Sequence, residues 1–465
     1  MTENQRLSVL DSSFLYMERP SVHMHVAGLV ILDPATRRGG RLHRDDLAEV
    51  IQRRIHLVPR FRQRVVFPPF GVGRPMWVDD EDFDIDFHLR RAALPAPGGR
   101  RELAEFVQRV HSRPLDRTKP LWEMYLIEGL EDGYVGVLSK SHHAMIDGLS
   151  GIDLATVMFD PTPEPQRIEA GSWHPSPPPS RTDLLVSSAV DTVTHPLRSA
   201  TATAGRAIRA PRDFLEGAGR LMGGLGSLLS LGAAPRGPFN VPVGPNRRFA
   251  MAEFPVDEAK AVKNALGGTV NDVILATVTG ALRRLLRSRG QPIKGVTLRA
   301  MVPVSTRDPP KQSALGNQVS MFFADLPVGT SSPVSRLRKI SEATRELKSS
   351  HQAVAATALI NAAQWTPPTL HALAARLLTR QRVINVVVSN VPGPQVPLYL
   401  DGARLLVAYP VMPIGEAMAL SVAVTSLSGT MGFGFTGDWD AVPDIDVLSG
   451  GLLESIEELK KTAGA

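Results

Sequence analysis

The chain has 465 residues, of which 43% are hydrophobic and 21% are charged, and its formal net charge is +6. Its apolar runs are shorter than the roughly 18 residues needed to cross a bilayer. It contains no cysteine, which excludes disulfides, thiolate metal ligands and an acyl-cysteine intermediate. The N-terminus lacks the pattern of a secretory signal. We therefore expect a cytoplasmic two-domain protein whose positive charge favours phosphorylated or anionic lipid partners, with no nucleic-acid motif.

Residues 1–165 are predicted to form a first, mixed α/β domain, because strand and helix periodicities alternate along this segment. The predicted elements are a strand over 27–32, helices over 45–56 and 103–110, and strands over 121–127 and 134–139. The last two strands are joined by a turn at 131–133, and the second runs into the polar segment 141–148. Loops that follow strands are frequent positions for functional residues.

A linker is predicted over 166–248, where a proline-rich run at 175–180 can form neither a helix nor a central strand. Its later part, 195–236, is basic and places apolar residues at near-helical spacing. This pattern fits an amphipathic helix lying on a membrane surface or, alternatively, an ordinary surface helix packed on the domains. Its many glycines weaken either helix.

The second domain is predicted over 249–465, with the same types of element as the first. Helices are expected over 270–288, 334–349 and 445–461, and strands over 296–302, 383–389, 419–425 and 431–436. Residues 432–437 formally match a dinucleotide-binding fingerprint, but no helical pattern follows them. We therefore predict a strand there.

The strongest chemical motif is the run His-His-Ala-Met-Ile-Asp-Gly at 142–148. A histidine can take the proton of an alcohol as its oxygen attacks a thioester, which contributes roughly 10²- to 10⁴-fold in rate. Gly148 permits a tight turn and close approach of a substrate. One alternative is a polar strand end capped by Asp147. Another is a metal site, which is disfavoured because adjacent histidines on an extended chain point to opposite faces and no acidic cluster completes the ligands.

Several motifs in combination resemble the bacterial wax ester synthase/acyl-CoA:diacylglycerol acyltransferase family, within the chloramphenicol acetyltransferase-like superfamily marked by His-x-x-x-Asp-Gly. The resemblance runs nearly from end to end. The matching segments are 10–16 with 24–26, Pro120-Leu121-Trp122, His142 to Gly148, Val270-Asn271-Asp272, 299–305 ending at Ser305, 316–318 around Asn317, and Ser389-Asn390 before Pro-Gly-Pro.

The resemblance implies an α/β fold of two chloramphenicol acetyltransferase-like domains, each a mixed sheet with flanking helices, and an active-site tunnel at their interface. His143 would be the catalytic base, and Asp147 would hold the loop by pairing with an arginine. The other supporting residues would be His142, Gly148, Asn271 and Asp272. Residues that would line the tunnel or serve the structure are Trp122, Ser305, Asn317, Ser389 and Asn390.

The implied reaction is transfer of a long-chain acyl group from acyl-CoA, as a co-substrate, to diacylglycerol or to a long-chain alcohol. No metal or other cofactor is expected. Contact with the inner membrane face or with lipid droplets is expected to be peripheral. Two alternatives are a non-catalytic lipid-binding or lipid-droplet protein and an acyltransferase that uses carrier-protein-bound substrates.

Asn271 lies at the start of the predicted helix over 270–288, where its amide and free backbone N–H groups could face a substrate. It is therefore a candidate scaffold residue or oxyanion donor. The alternative is helix capping by Asn271 with a favourable first-turn charge from Asp272, and both roles can hold together.

Overall fold

The computed structural model describes residues 6–71, 73–145, 157–166, 168–169, 171–188, 190, 232–235, 237–305, 319–349 and 383–464. Two six-stranded mixed sheets with flanking helices form the fold. The elements before residue 146 are α1 (Val9–Met17), β1 (His25–Asp33), α2 (Arg44–Arg54), β2 (Gln63–Val66), β3 (Met76–Asp79), α3 (Ile85–His88), β4 (Leu89–Ala93), α4 (Arg100–Ser112), β5 (Trp122–Glu128) and β6 (Val135–His142).

The later elements begin at residue 247. They are β7 (Arg247–Pro255), α5 (Val256–Leu266), α6 (Val270–Ser288), β8 (Leu298–Ser305), β9 (Val319–Leu326), α7 (Pro333–Ser349), β10 (Val386–Pro392), β11 (Tyr399–Leu400), β12 (Ala403–Val411), β13 (Leu420–Leu427), β14 (Thr430–Asp438) and α8 (Asp446–Ala463).

The first sheet has the order β11-β12-β1-β6-β5-β4, and only β4 and β5 run parallel. The second has the order β7-β14-β13-β10-β8-β9, in which β10 runs parallel to both of its neighbours. Residues 399–411, inside the predicted second domain, thus complete the first sheet. The prediction of mixed sheets with flanking helices is confirmed.

The two sheets meet where β12 crosses β14. A Cβ atom built on Gly432 would lie 2.0 Å from the carbonyl oxygen of Ala408, and one on Gly434 would lie 1.8 Å from that of Pro410. Only glycine allows two backbones to approach this closely. The glycines that resemble a dinucleotide fingerprint therefore serve sheet-to-sheet contact, and the prediction of a strand over 431–436 is confirmed.

The second core is organised around α6, which is buried along most of its length. Its first turn carries a capping box: the Thr269 hydroxyl accepts a hydrogen bond from the Asp272 N–H (3.2 Å), and the Asp272 carboxylate accepts one from the Thr269 N–H (2.8 Å). The first core lies under α2 and around β5 and β6. Among the described helices none is long and apolar enough to cross a membrane alone; α5 and α6, bent by 101°, meet those criteria as a pair.

Residues 171–188 of the predicted linker pack on the first half of the chain, whereas Phe239 and Val243 belong to the second core, and β7 begins at Arg247, inside the predicted linker. Residues 181–188 are helical, and Leu184 and Ser188 are buried. The Ser176 N–H donates to the Asp79 carboxylate (2.9 Å) within the proline-rich run. Apart from residues 232–235 and 190, the segment from 189 to 236, with most of the predicted amphipathic helix, lies outside the described residues.

Candidate active site

The paired histidines lie at the end of β6, where the strand passes into a 3₁₀ turn over His143–Met145. His142 is still in the sheet, opposite His25 of β1. The His143 N–H donates to the Met24 carbonyl (2.8 Å), and the Ala144 N–H donates to Nδ1 of His142 (3.1 Å). Hydrogen bonds therefore hold the backbone at His143 and at the residue that follows it.

The imidazole of His143 stacks on the ring of Phe14 in α1, with centroids 3.9 Å apart and planes 25° apart. Phe14 also packs against both hydrophobic cores, so the stack lies at the junction of the two halves. Nδ1 of His143 is buried and has no partner side chain within hydrogen-bonding geometry in the described part of the chain. The residue as a whole keeps some accessible surface.

Burial, with a smaller contribution from the neighbouring His142, lowers the pKa of His143 to about 4, although an interaction with its own backbone opposes the shift. Loss of hydration disfavours the charged imidazolium, which explains the direction. At neutral pH the imidazole is therefore uncharged. An uncharged imidazole retains the lone pair that a general base needs.

Glu18, at the end of α1, anchors the strand ends beside His143. Its Oε1 lies 3.2 Å from Nε2 of His142 and 3.6 Å from Nε2 of His25, and it accepts the Met24 N–H at 2.9 Å. Its other carboxylate oxygen pairs with Arg117. Burial alone would raise the pKa of Glu18, but the interactions with His142 and Arg117 outweigh it and lower the pKa to about 2.

Nδ1 of His142 accepts the hydrogen bond from the Ala144 N–H, so a neutral ring carries its proton on Nε2, which lies 3.2 Å from Oε1 of Glu18. His142 therefore connects Glu18 to the turn that carries His143. The sequence predicted His142 as a supporting residue, and these contacts give it a structural role. Phe14, Glu18 and the Met24 carbonyl were not singled out, although 10–16 and 24–26 belong to the motifs that carry the resemblance.

The second half contributes polar residues at the start of α6 and the end of β10. The Asn390 amide donates to Oδ1 of Asn271 at 3.4 Å, and both side chains keep some accessible surface. Ser389 is nearly buried within β10. The capping interpretation of Asn271 is wrong, because the N-cap residue is Thr269, two positions earlier.

Asp272 is a structural residue. It is 2% exposed, and besides its bonds to Thr269 it accepts a hydrogen bond from the Thr344 hydroxyl of α7 (2.6 Å). The carboxylate therefore caps α6 through Thr269 and joins α6 to α7 through Thr344. This supports the interpretation that gave Asp272 a role at the helix terminus.

Trp122 is also a structural residue. It is 1% exposed, its indole N–H donates to the Phe61 carbonyl (2.8 Å), and its ring stacks on His88 at 4.5 Å. Ser305 is the last residue of β8. Asp147, Gly148 and Asn317 lie outside the described residues. Within the described ranges, no group of three or more histidine and acidic side chains could hold a metal ion.

Two family descriptions match the chain. The wax ester synthase/diacylglycerol acyltransferase catalytic domain matches residues 7–274, and the WS/DGAT C-terminal domain matches residues 315–460. A putative diacylglycerol O-acyltransferase of Mycobacterium tuberculosis is 35% identical over 472 residues, covering 98% of this chain and 90% of the relative. Another from that organism, the probable diacylglycerol O-acyltransferase tgs2, is 35% identical over 459 residues, with 98% of each chain covered.

Solved structures agree with these matches. A wax ester synthase/diacylglycerol acyltransferase from Marinobacter aquaeolei superposes with a TM-score of 0.69 at 30% identity, covering 99% of this chain and 100% of the other. The first condensation domain of the CDA synthetase gives a TM-score of 0.60 at 16% identity, covering 99% and 97%. The second likeness concerns the fold alone.

Proposed function

This chain is an acyltransferase of the wax ester synthase/diacylglycerol acyltransferase family, and on that premise we propose that it transfers a long-chain acyl group from CoA to diacylglycerol, forming triacylglycerol. The observation that carries the chemistry is the uncharged, stacked imidazole of His143 at the end of β6. The names of the mycobacterial relatives support diacylglycerol as the acceptor. Long-chain alcohols are a second acceptor class, supported by the Marinobacter enzyme's name.

In the proposed reaction His143 acts as a general base. The acceptor hydroxyl oxygen attacks the thioester carbonyl carbon while its proton passes to Nε2 of His143, because Nδ1 is buried. The tetrahedral intermediate collapses as the C–S bond breaks, and the proton on His143 passes to the departing CoA sulfur. Because a thioester is already activated, one well-placed base and an oxyanion donor suffice.

The developing oxyanion needs a hydrogen-bond donor, and we assign this role to Asn271. Its Oδ1 is occupied by the Asn390 amide, which leaves the Nδ2 donors of Asn271 directed elsewhere. Removing one such donor typically slows an acyl transfer by about 10²- to 10³-fold. The tunnel between the two halves, with acyl-CoA and acceptor entering from different sides, is part of the same proposal. So is peripheral binding to the inner membrane face or to lipid droplets, where the lipid acceptors reside.

The test is release of CoA thiol from palmitoyl-CoA by the purified protein with dioleoylglycerol, hexadecanol or no acceptor. The chain contains no cysteine, so a thiol reagent reports only released CoA. We expect release that depends on an acceptor and is fastest with dioleoylglycerol, with triacylglycerol as the extracted product. Faster release with hexadecanol would make the chain a wax ester synthase.

Two outcomes would contradict the proposal. Turnover only with a carrier-protein-bound acyl donor would move the function to that class. Binding of palmitoyl-CoA and diacylglycerol without any turnover would favour the non-catalytic lipid-binding alternative.

A further inference from the structure

A polar groove lies between the end of α4, the start of β7 and the residues after β14. It is lined by Gln108, Arg109, Arg113, Asn246, Arg247 and Trp439. About 690 Å³ of free space, open solvent included, lies between its walls. Trp439 is 39% exposed, which is unusual for a large aromatic ring, and the Arg248 guanidinium lies over it at 4.0 Å.

The groove carries positive charge from three arginines. In the described part of the chain, Arg109, Arg113 and Arg247 have no carboxylate within salt-bridge distance. Arg247 instead donates to three backbone carbonyls, those of Gly244 (2.6 Å), Asn246 (3.0 Å) and Ser21 (2.5 Å). Carbonyl oxygens satisfy N–H donors but cancel no charge.

Asp438 offsets part of this charge. Its carboxylate attracts Arg247 and also accepts the N–H groups of Gly244 (2.7 Å), Asp440 (3.1 Å) and Ala441 (2.9 Å). Behind the groove lie the buried Lys140 and His111. Burial lowers the pKa of Arg247 to about 10 and that of His111 to about 3, and for His111 the charges of Lys140 and Arg247 add to the effect. The Lys140 ammonium is paired with Glu123 (3.0 Å), so the arginines supply the positive charge that a bound anion would meet.

We propose that this groove binds the phosphorylated adenine nucleotide of acyl-CoA, an inference that rests on the proposed function. Arginine pairs with phosphate oxygens through charge-assisted, often bidentate hydrogen bonds. An aromatic ring supplies a stacking surface for a base, and a guanidinium over that ring strengthens the platform. Gln108 and Asn246 supply amide donors and acceptors at the same rim.

The walls of the groove are bonded to the segments that hold His143. The Lys140 ammonium donates to the carbonyl oxygens of Arg113 (2.6 Å) and Val110 (2.9 Å), and Lys140 precedes His143 by three residues in β6. At the rise of a strand, that separation is about 10 Å of chain. On the other wall, Arg247 holds Ser21, three residues before Met24. Both walls of the groove are therefore linked, through a few residues, to the segments that hold His143.

Direct binding tests the groove independently of turnover. The probe is adenosine 3′,5′-bisphosphate, titrated by calorimetry into the full-length wild type, the double variant Arg109→Gln/Arg113→Gln, and Arg101→Gln as a control. Arg101 lies on the same helix but pairs with Glu105 at the exposed surface. We expect the double variant to bind at least about tenfold more weakly, and the control to bind as the wild type does. No binding by the wild type, or equal binding by all three, would overturn the assignment.

Kinetics separate this inference from the proposed function. With palmitoyl-CoA the double variant should show a KM raised about tenfold or more at nearly unchanged kcat. With palmitoyl-pantetheine, which lacks the nucleotide, wild type and variant should match. An unchanged KM for palmitoyl-CoA in an active double variant would contradict the nucleotide site but not the proposed acyl transfer. The wild type could instead bind the bisphosphate, and the variant lose that binding, in a protein without transferase activity. That result would support the nucleotide site and contradict the proposed reaction.

Discussion

Replacing Glu18 with Gln should destabilise the protein through charge rather than shape. Glu18 is 11% exposed and contacts Nε2 of His142 at 3.2 Å as well as the guanidinium of Arg117. Its pKa falls from 4.5 to about 2 on folding, because those contacts outweigh the cost of burial. At about 1.4 kcal/mol per pKa unit, the ionised carboxylate contributes about 3 kcal/mol to the free energy of unfolding.

The stabilisation by Glu18 depends on pH. Because the pKa is lower in the folded state, the contribution is complete above pH 4.5 and is lost as the pH falls towards 2. In urea unfolding, Glu18→Gln should therefore be about 3 kcal/mol less stable than the wild type at pH 7. The difference in free energy of unfolding between the two proteins should become steadily smaller below pH 4.5.

The matched control is Glu49→Gln, which removes an exposed i,i+4 pair with Arg53. It should change stability by at most about 0.5 kcal/mol at any pH. Equal losses in the two variants, or a Glu18→Gln loss that does not change between pH 7 and pH 3, would refute the reasoning.

Two further results are expected. Because the pKa of His143 is about 4 instead of 6.5, kcat/KM should stay flat between pH 8 and pH 5 in stopped assays on folded enzyme; an acid limb centred near 6.5 would show that the base is not buried as described. Asp160→Asn should lower the free energy of unfolding by roughly 3–5 kcal/mol in urea titrations, because Asp160 and Arg54 are both buried and joined by bonds of 2.7 and 2.9 Å; a loss below about 1 kcal/mol would contradict the burial of this pair.

Local periodicity was sufficient to predict most elements, since each has its own apolar pattern. The helix over 270–288 and the strand that leads into His142 are examples. Pairing between distant segments was beyond that reasoning: nothing in the sequence of β12 indicates that it joins β1 of the first sheet. Strand partners are chosen by tertiary packing, and a local pattern specifies only which face is buried.

The candidate site was predicted where chemistry and motif coincide, as at His143. Glu18 was missed because a single glutamate carries no pattern, and its importance arises only when β1 and β6 bring His25 and His142 opposite each other. Helix capping, the alternative considered for Asn271, is wrong for a more local reason. The sequence Thr269-Val-Asn-Asp already contains a capping box, in which the hydroxyl of the first residue and the carboxylate of the fourth satisfy each other's N–H groups.

The most direct test of the central claim is the kcat of His143→Ala with palmitoyl-CoA and dioleoylglycerol, measured beside His174→Ala, an exposed histidine outside the site. Unfolding curves of both variants establish that they are folded. Loss of the base should lower kcat by about 10²- to 10⁴-fold in His143→Ala, while His174→Ala retains wild-type activity. A folded His143→Ala protein that turns over at nearly the wild-type rate would contradict the assignment of His143 as the general base.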